Sequence, residues 1–303
     1  MNKLIFTAVF IIFFAESTVQ AQTGATSNTA GATTAAAAQT STTTLTPESK
    51  EAGGKAWSLS LVSQAEAEAS KANYQGIKSY NTTNFVGGSY KLNKNNSVGI
   101  RQYFSFNKDG ENDKTTTTMM DPAVTYTRSG VNGVFGTEPL TAMFYYFIPT
   151  AQTSFDVRSN GGIRMDLELP WTLNPKWSVS YFLSPRQSFI PNGSMIVEGE
   201  EKQIFSKTSL VHYAGLYYSF SDFIQAYSTA GFSHRWKTSD LSANERNAIL
   251  AAGVNFALLG GKIMLTPGLS VESKQIANGT AVAAEQIIQE KNISYTLTSA
   301  FVF

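Results

Sequence analysis

No cysteine occurs among the 303 residues, so neither a disulfide framework nor a lipid-attachment cysteine is available. Histidine is nearly missing too. His212 and His234 are the only two, and neither stands at metal-ligand spacing. Charge is scarce, at 15% of residues, against roughly 25% in an ordinary soluble protein. What charge there is nearly cancels, to +1, which offers nothing to nucleic acid and forms no basic membrane-surface patch. After the N-terminal segment, no apolar run approaches the ~20 residues of a membrane-spanning helix. Phosphate loops, zinc motifs and nucleotide fingerprints are absent as well. These absences leave no cofactor and no metal to expect, and no enzyme chemistry to name.

What is present is aromatic: 12% of the chain, with 20 Phe and 13 Tyr. The chain starts with Lys3, an apolar run from Leu4 to Ala15, and Val19-Gln20-Ala21. A positive start, a short apolar centre and a small-residue end predict a secretory signal peptide over 1–21. Residues 22–54 are then mostly Ala, Thr, Ser and Gly. Such a segment cannot bury enough apolar area to offset its ordering entropy, and it reads as a disordered periplasmic spacer. Residues 55–303 remain for one large domain.

That domain alternates with period two. Its end, "ISYTLTSAFVF", sets Ile293, Tyr295, Leu297, Ser299, Phe301 and Phe303 against smaller or hydroxylated neighbours. The same rhythm marks twelve candidate strands: 56–66, 83–92, 97–106, 121–129, 139–148, 161–171, 177–188, 207–220, 223–236, 247–259, 262–274 and 288–303. Tight turns at Asn93–Asn96, Asn174–Lys176, Ser221-Asp222 and Gly260-Gly261 alternate with longer polar connections. An aromatic-rich, charge-poor, exported chain of this pattern predicts an all-β transmembrane antiparallel up-and-down β-barrel. Twelve strands fit best, with ten or fourteen left open. An even count places both termini in the periplasm and the long loops outside the cell. Aromatics near strand ends, among them Trp57, Tyr90, Trp171, Trp177, Phe220, Phe223, Phe106, Phe147 and Trp236, are assigned to two girdles at the lipid interfaces.

Charge fixes the facing. Arg164, Asp166 and Glu168 alternate with Ile163, Met165, Leu167 and Leu169. A lipid-facing Arg at mid-membrane costs roughly 2–4 kcal/mol, so the charged set faces inward. The inward, pore-lining set becomes Arg101, Arg164, Asp166, Glu168, Arg186, Arg235, Glu272 and Lys274. The Gly260-Gly261 turn is expected to pair Leu258 with Ile263 and Asn247 with Lys274. Pro267 lies inside a strand and points to a bulge there. The 130–138 connection is long for a turn at the periplasmic end.

The terminal aromatic with apolar residues at alternating positions resembles the assembly signal of Gram-negative outer-membrane β-barrel proteins, the porin-like ones included. Tyr295, Leu297, Phe301 and Phe303 match that pattern, and Ser299 departs from it. The resemblance implies the cell outer membrane, insertion by the barrel assembly machinery, and outer-membrane lipids as surroundings. The expected function is passive diffusion of small hydrophilic solutes or ions. The alternative is a structural or surface-interaction barrel with a closed lumen. A barrel lipase or protease is weaker, because neither histidine has a serine two residues on, and Asp166 and Glu168 have Arg164 beside them. A homo-oligomer is left open, since no strand group offers a distinctly flat apolar wall.

Overall fold

The computed structural model describes residues 56–68, 72–73, 76–77, 79–109, 114–151, 154, 159–190, 194–197, 200–203, 208–236, 244–277, 280–281 and 293–303. The signal peptide, the spacer, parts of the long connections and the side chain of Lys274 lie outside the described residues.

Twelve long strands carry the fold: β1 (Trp57–Glu68), β2 (Tyr80–Asn93), β3 (Asn96–Asp109), β4 (Ala123–Val131), β5 (Leu140–Phe147), β6 (Gly162–Asn174), β7 (Trp177–Ser188), β8 (Thr208–Ser221), β9 (Ile224–Trp236), β10 (Asn244–Leu258), β11 (Ile263–Ala277) and β12 (Ile293–Val302). Each pairs antiparallel with its chain neighbour, and β12 pairs with β1, so the sheet closes on itself. Closure leaves no edge strand, which matters where no water can satisfy a free N–H. Short segments extend the long-loop end, such as Lys114–Met119 against β3 and Thr280–Ala281 against β11. All twelve expected strands are present, with ends shifted by a few residues where described; the expected start of the last, 288–292, lies outside the described residues. Among the described residues no helix is long and apolar enough to cross a membrane.

Closure is completed by the last residue. Phe303 N–H donates to Leu59 O at 2.9 Å, and Leu59 N–H donates to Phe303 O at 3.2 Å. Along β12, Tyr295 and Leu297 present exposed side chains outward, as the alternation requires. The outer face also carries exposed Leu59, Val86, Ile100, Val124, Tyr146, Ile163 and Leu250. The inner face carries buried Tyr103, Tyr145, Phe182, Tyr213, Asn247 and Asn255. An apolar face turned to the surroundings and a mixed, packed face turned inward are what a barrel in lipid needs.

The short-turn end is built by side chains that cap the backbone. Asn93 Oδ1 accepts from Asn95 N–H at 3.0 Å and from the Asn96 amide at 2.8 Å. Asn174 Oδ1 accepts from Lys176 N–H at 2.9 Å and Trp177 N–H at 3.0 Å. Short polar side chains that mimic a backbone carbonyl are favoured in tight turns for this reason. The β10–β11 turn is longer than expected. Leu258 pairs with Ile263 and Asn247 with Lys274, as anticipated, but Leu259, Gly260, Gly261 and Lys262 all lie between the strands. Gly260 and Gly261 take φ of 67° and 83°, which glycine adopts without strain, and Leu259 before them takes 51°. The long 130–138 connection is anchored to its neighbours. Glu138 N–H donates to Pro170 O at 3.0 Å and Ser129 N–H to Asn95 O at 2.8 Å.

The expected bulge at Pro267 is not there. Gly253 pairs with Gly268 and Phe256 with Leu265 in one continuous register, and only the pairs between them are missing. Pro185 in β7 leaves the same kind of gap, between Leu183–Leu167 and Arg186–Arg164. Each gap is crossed on the inner face by a hydroxyl beside the proline. Thr266 Oγ1 donates to Asn255 Oδ1 at 2.9 Å, and Ser184 Oγ donates to Asp166 Oδ1 at 2.6 Å. A side-chain bond crosses the gap that proline leaves in the ladder, and the register continues past it.

Gly231 on β9 faces Tyr213 on β8. A Cβ there would stand 2.0 Å from His212 O and 2.4 Å from Tyr213 Cα. Gly231→Val is expected to force β8 and β9 apart, at a cost of about 1–3 kcal/mol or more. A lowered urea midpoint of the refolded barrel, followed by tryptophan fluorescence, checks this.

Candidate functional site: the arginine wall of the lumen

Seven of the eight expected inward charges have described side chains, and register places all seven on the inner face. Three arginines share one wall. Arg101 on β3 lies over Phe85, 4.6 Å from its ring centroid, and 5.3 Å from that of Tyr145. Arg164 on β6 sits 4.0 Å from the Tyr145 centroid and 5.9 Å from that of Phe147. Arg186 on β7 sits 4.8 Å from the Phe147 centroid and is the cross-strand neighbour of Arg164. Tyr145 and Phe147 lie nearly parallel, at 9° and 6.1 Å. Aromatic faces thus separate three like charges that register would otherwise crowd together. Each such contact is worth roughly 0.5–2 kcal/mol, depending on desolvation.

Among the described residues, Arg164 alone of the three forms an ion pair with an acid. Arg164 donates to Asp166 Oδ2 at 2.9 Å, with both side chains buried, and Ser184 fills the other carboxylate oxygen. Arg101 instead donates to Tyr145 Oη at 3.2 Å and approaches Met143 Sδ at 3.4 Å. Among the described residues, neither Arg101 nor Arg186 has a carboxylate partner. The Nε atoms of Arg164 and Arg186 are buried without a hydrogen-bond acceptor.

The remaining charges sit elsewhere on the ring. Arg235 on β9 reaches Glu272 at 3.5 Å, and Asn247 donates to the same oxygen at 2.7 Å. Glu168 lies deeper in β6, beside Thr141 and Phe182, with Oε1 buried and unbonded. Register adds three acids to the inner face: Glu66 and Glu68 on β1, opposite Thr296 and Ser294, and Glu245 on β10, opposite Arg235. With twelve strands in the ring, β1 stands about half a turn from β6 and β7. Arg186 therefore stands on the wall opposite Glu66 and Glu68, whereas Arg101, on β3, is two strands from them.

The sequence reading missed the aromatic half of this site. Phe147 is not part of an outer girdle: it is buried on the inner face, stacked on Tyr145. Phe85, Tyr103 and Tyr145 are inward too. Their parity relative to Arg101 and Arg164 held the signal, since Phe147 and Tyr145 alternate with exposed Tyr146. The short-turn girdle is as expected. Trp57 meets Tyr90 at 4.8 Å and Trp177 meets Tyr218 at 4.7 Å, on the outer face.

A second inner cluster adjoins the arginine wall on β7, β8 and β10. Phe182, Val211, Tyr213 and Ile249 pack together with almost no exposure. On the outside, strands β3–β8 leave a shallow groove of about 710 Å³ along Val98, Val124, Phe144, Ile163 and Pro185. Its apolar lining faces the surroundings rather than the lumen. Among the described residues, no group of three or more His, Asp and Glu could hold a metal.

No protein-family model and no curated protein matches the chain. Solved structures do. The COG4313 outer membrane channel from Pseudomonas putida F1 aligns over 85% of this chain and 99% of its own, with 13% identity and a TM-score of 0.53. The KdgM porin aligns over 80% of this chain and 99% of its own, with 7% identity and a TM-score of 0.45. The NanC porin aligns over 80% and 98%, with 8% identity and a TM-score of 0.45.

The Arg164–Asp166 pair invites a direct test. Asp166→Asn leaves a buried guanidinium without its counter-charge, which costs about 3–5 kcal/mol. The expected result is a lowered urea midpoint, partly recovered in the double variant Arg164→Met, Asp166→Asn. By fold, the described residues form a closed antiparallel twelve-stranded β-barrel similar to that of the COG4313 outer membrane channel.

Proposed function

We propose that this barrel is an outer-membrane channel for small hydrophilic solutes, with a preference for anions. One observation carries the reading: among the described residues Arg101 and Arg186 form no ion pair with a carboxylate on the inner wall, and only Arg186 has one, Asp121, within electrostatic reach. A desolvated cation without a counter-ion is costly, and an anion in transit lowers that cost. Flat aromatic supports hold the guanidiniums in place, so a passing solute meets fixed donors. Low exposure across the inner face supports a narrow passage rather than a wide aqueous hole.

The sidedness follows the same logic. The short-turn end faces the periplasm and the long-loop end the exterior, with both termini periplasmic. Export by the segment 1–21 and insertion by the assembly machinery through Tyr295, Leu297, Phe301 and Phe303 complete the proposal. Outer-membrane lipids surround the apolar face. A second reading has its own support: the packed Phe182, Val211, Tyr213 and Ile249 cluster favours a sealed lumen and a role at the surface.

Single-channel recording in a planar bilayer separates the two. The channel reading expects small, stable steps with anion selectivity. Arg101→Glu with Arg186→Glu is expected to reverse that selectivity. Silence from protein shown to be folded overturns the channel in favour of the sealed barrel.

A further inference from the structure

Both histidines face outward. His212 on β8 pairs in register with Phe232, and His234 on β9 with Leu210 and Arg246. Their inner-face neighbours, Val211, Tyr213, Ser233 and Asn247, are buried, which fixes the parity. Two imidazoles and a guanidinium thus stand together on the outer wall, beside Leu210, Phe232, Ala248 and Trp236.

The group is ordered. The His212 and His234 Nε2 atoms are 3.3 Å apart, and their rings are within 6° of parallel at 5.4 Å between centroids. A centroid distance that exceeds the nitrogen separation by so much puts the rings edge to edge, sharing one hydrogen between the two Nε2. Tyr181 Oη lies 2.9 Å from His212 Nδ1 and supports the far side. Trp236 lies against His234 at 5.9 Å and 13°. Arg246 lies 5.5 Å from the Phe232 centroid, and its Nε is buried without an acceptor.

This chain of hydrogen bonds has one open end. If the Tyr181 hydroxyl donates to His212 Nδ1, then His212 Nε2–H donates to His234 Nε2. His234 Nδ1 then carries a hydrogen, and no described group accepts it. The free donor belongs to the residue directly paired with Arg246. No carboxylate among the described residues bonds Arg246 or either histidine. The level is also telling. Arg246 lies twelve residues from Leu258 along β10. At about 3.3 Å per residue and a tilt near 40°, that is about 30 Å above the short-turn end. The apolar band of such barrels is about 25 Å tall, so Arg246 reaches the headgroup level.

We propose that Arg246 and His234, supported by His212, Tyr181 and Trp236, bind the phosphate of a phosphorylated glycolipid in the external leaflet. Arg supplies a charged donor and the imidazole a second, with the tyrosine–histidine chain fixing the ring's orientation. The proposal rests on the membrane sidedness given above, but not on the lumen being open.

The test uses the full barrel, refolded and incubated with bis-phosphorylated lipid A or with the same lipid dephosphorylated, and read by native mass spectrometry. The expected result is retention of the phosphorylated form at least ten-fold above the dephosphorylated one. Arg246→Gln and His234→Phe are each expected to lower that retention about five- to ten-fold. Lys91→Gln, at the other end of the barrel, should leave it unchanged. Equal retention of the two lipids by the unaltered protein overturns the proposal without any variant having to fold. So does unchanged retention in folded Arg246→Gln. Excess inorganic phosphate that displaces the lipid completely would show a free-anion site instead and also overturn it. Lipid retention is read without current, so a silent channel and an absent lipid site give separate results.

Discussion

Everything in this molecule depends on the pairing of its first and last strands. A β-sheet in lipid cannot leave a row of N–H and C=O groups unpaired, because nothing in the hydrocarbon replaces them. The β1–β12 ladder runs from Ser60–Val302 to Glu68–Ser294, and the Leu59–Phe303 bonds extend it to the last residue. Once the ring is closed, the inside and outside of every strand are fixed together. A shift of one residue anywhere would turn Arg164 and Asp166 to lipid and Ile163 to the lumen. Register is therefore held by the same charges that give the lumen its character.

The ladder tolerates interruption only where something replaces it. Pro185 and Pro267 each remove a backbone donor from the interior of the sheet. In both places the preceding residue is a hydroxyl on the inner face, and it bonds the opposite strand. The repair at Pro185 also ties Ser184 to Asp166, and through it to Arg164. Backbone repair and charge placement thus share one carboxylate.

Most of the fold was legible because period-two alternation and turn residues act locally. Asn93, Asn174 and the Gly260-Gly261 pair mark turns by their own chemistry, and the charges of β6 mark its inner face. The turn length at Leu259–Lys262 was underestimated, because a leucine with positive φ carries no sequence signal. The absence of a bulge at Pro267 was hidden, since the compensating bond joins Thr266 to a residue eleven positions away. The aromatic supports of the arginines were hidden differently. A phenylalanine near a strand end serves an interface girdle or a lumen wall equally well. Phe147 is told from Phe106 only by parity against a charged neighbour on another strand.

The division of the inner face bears on the proposed passage. Arg164 and Arg186 line the β6 and β7 side, while Glu66 and Glu68 stand about half a turn away on β1. The electric field between them runs across the passage, perpendicular to the direction of travel. A uniformly charged ion feels such a field as a sideways push. A zwitterion feels it as a torque, turning its acidic end to the guanidiniums and its basic end to the carboxylates. A barrel of this kind would sort molecules by how their charges are arranged as well as by how many they carry.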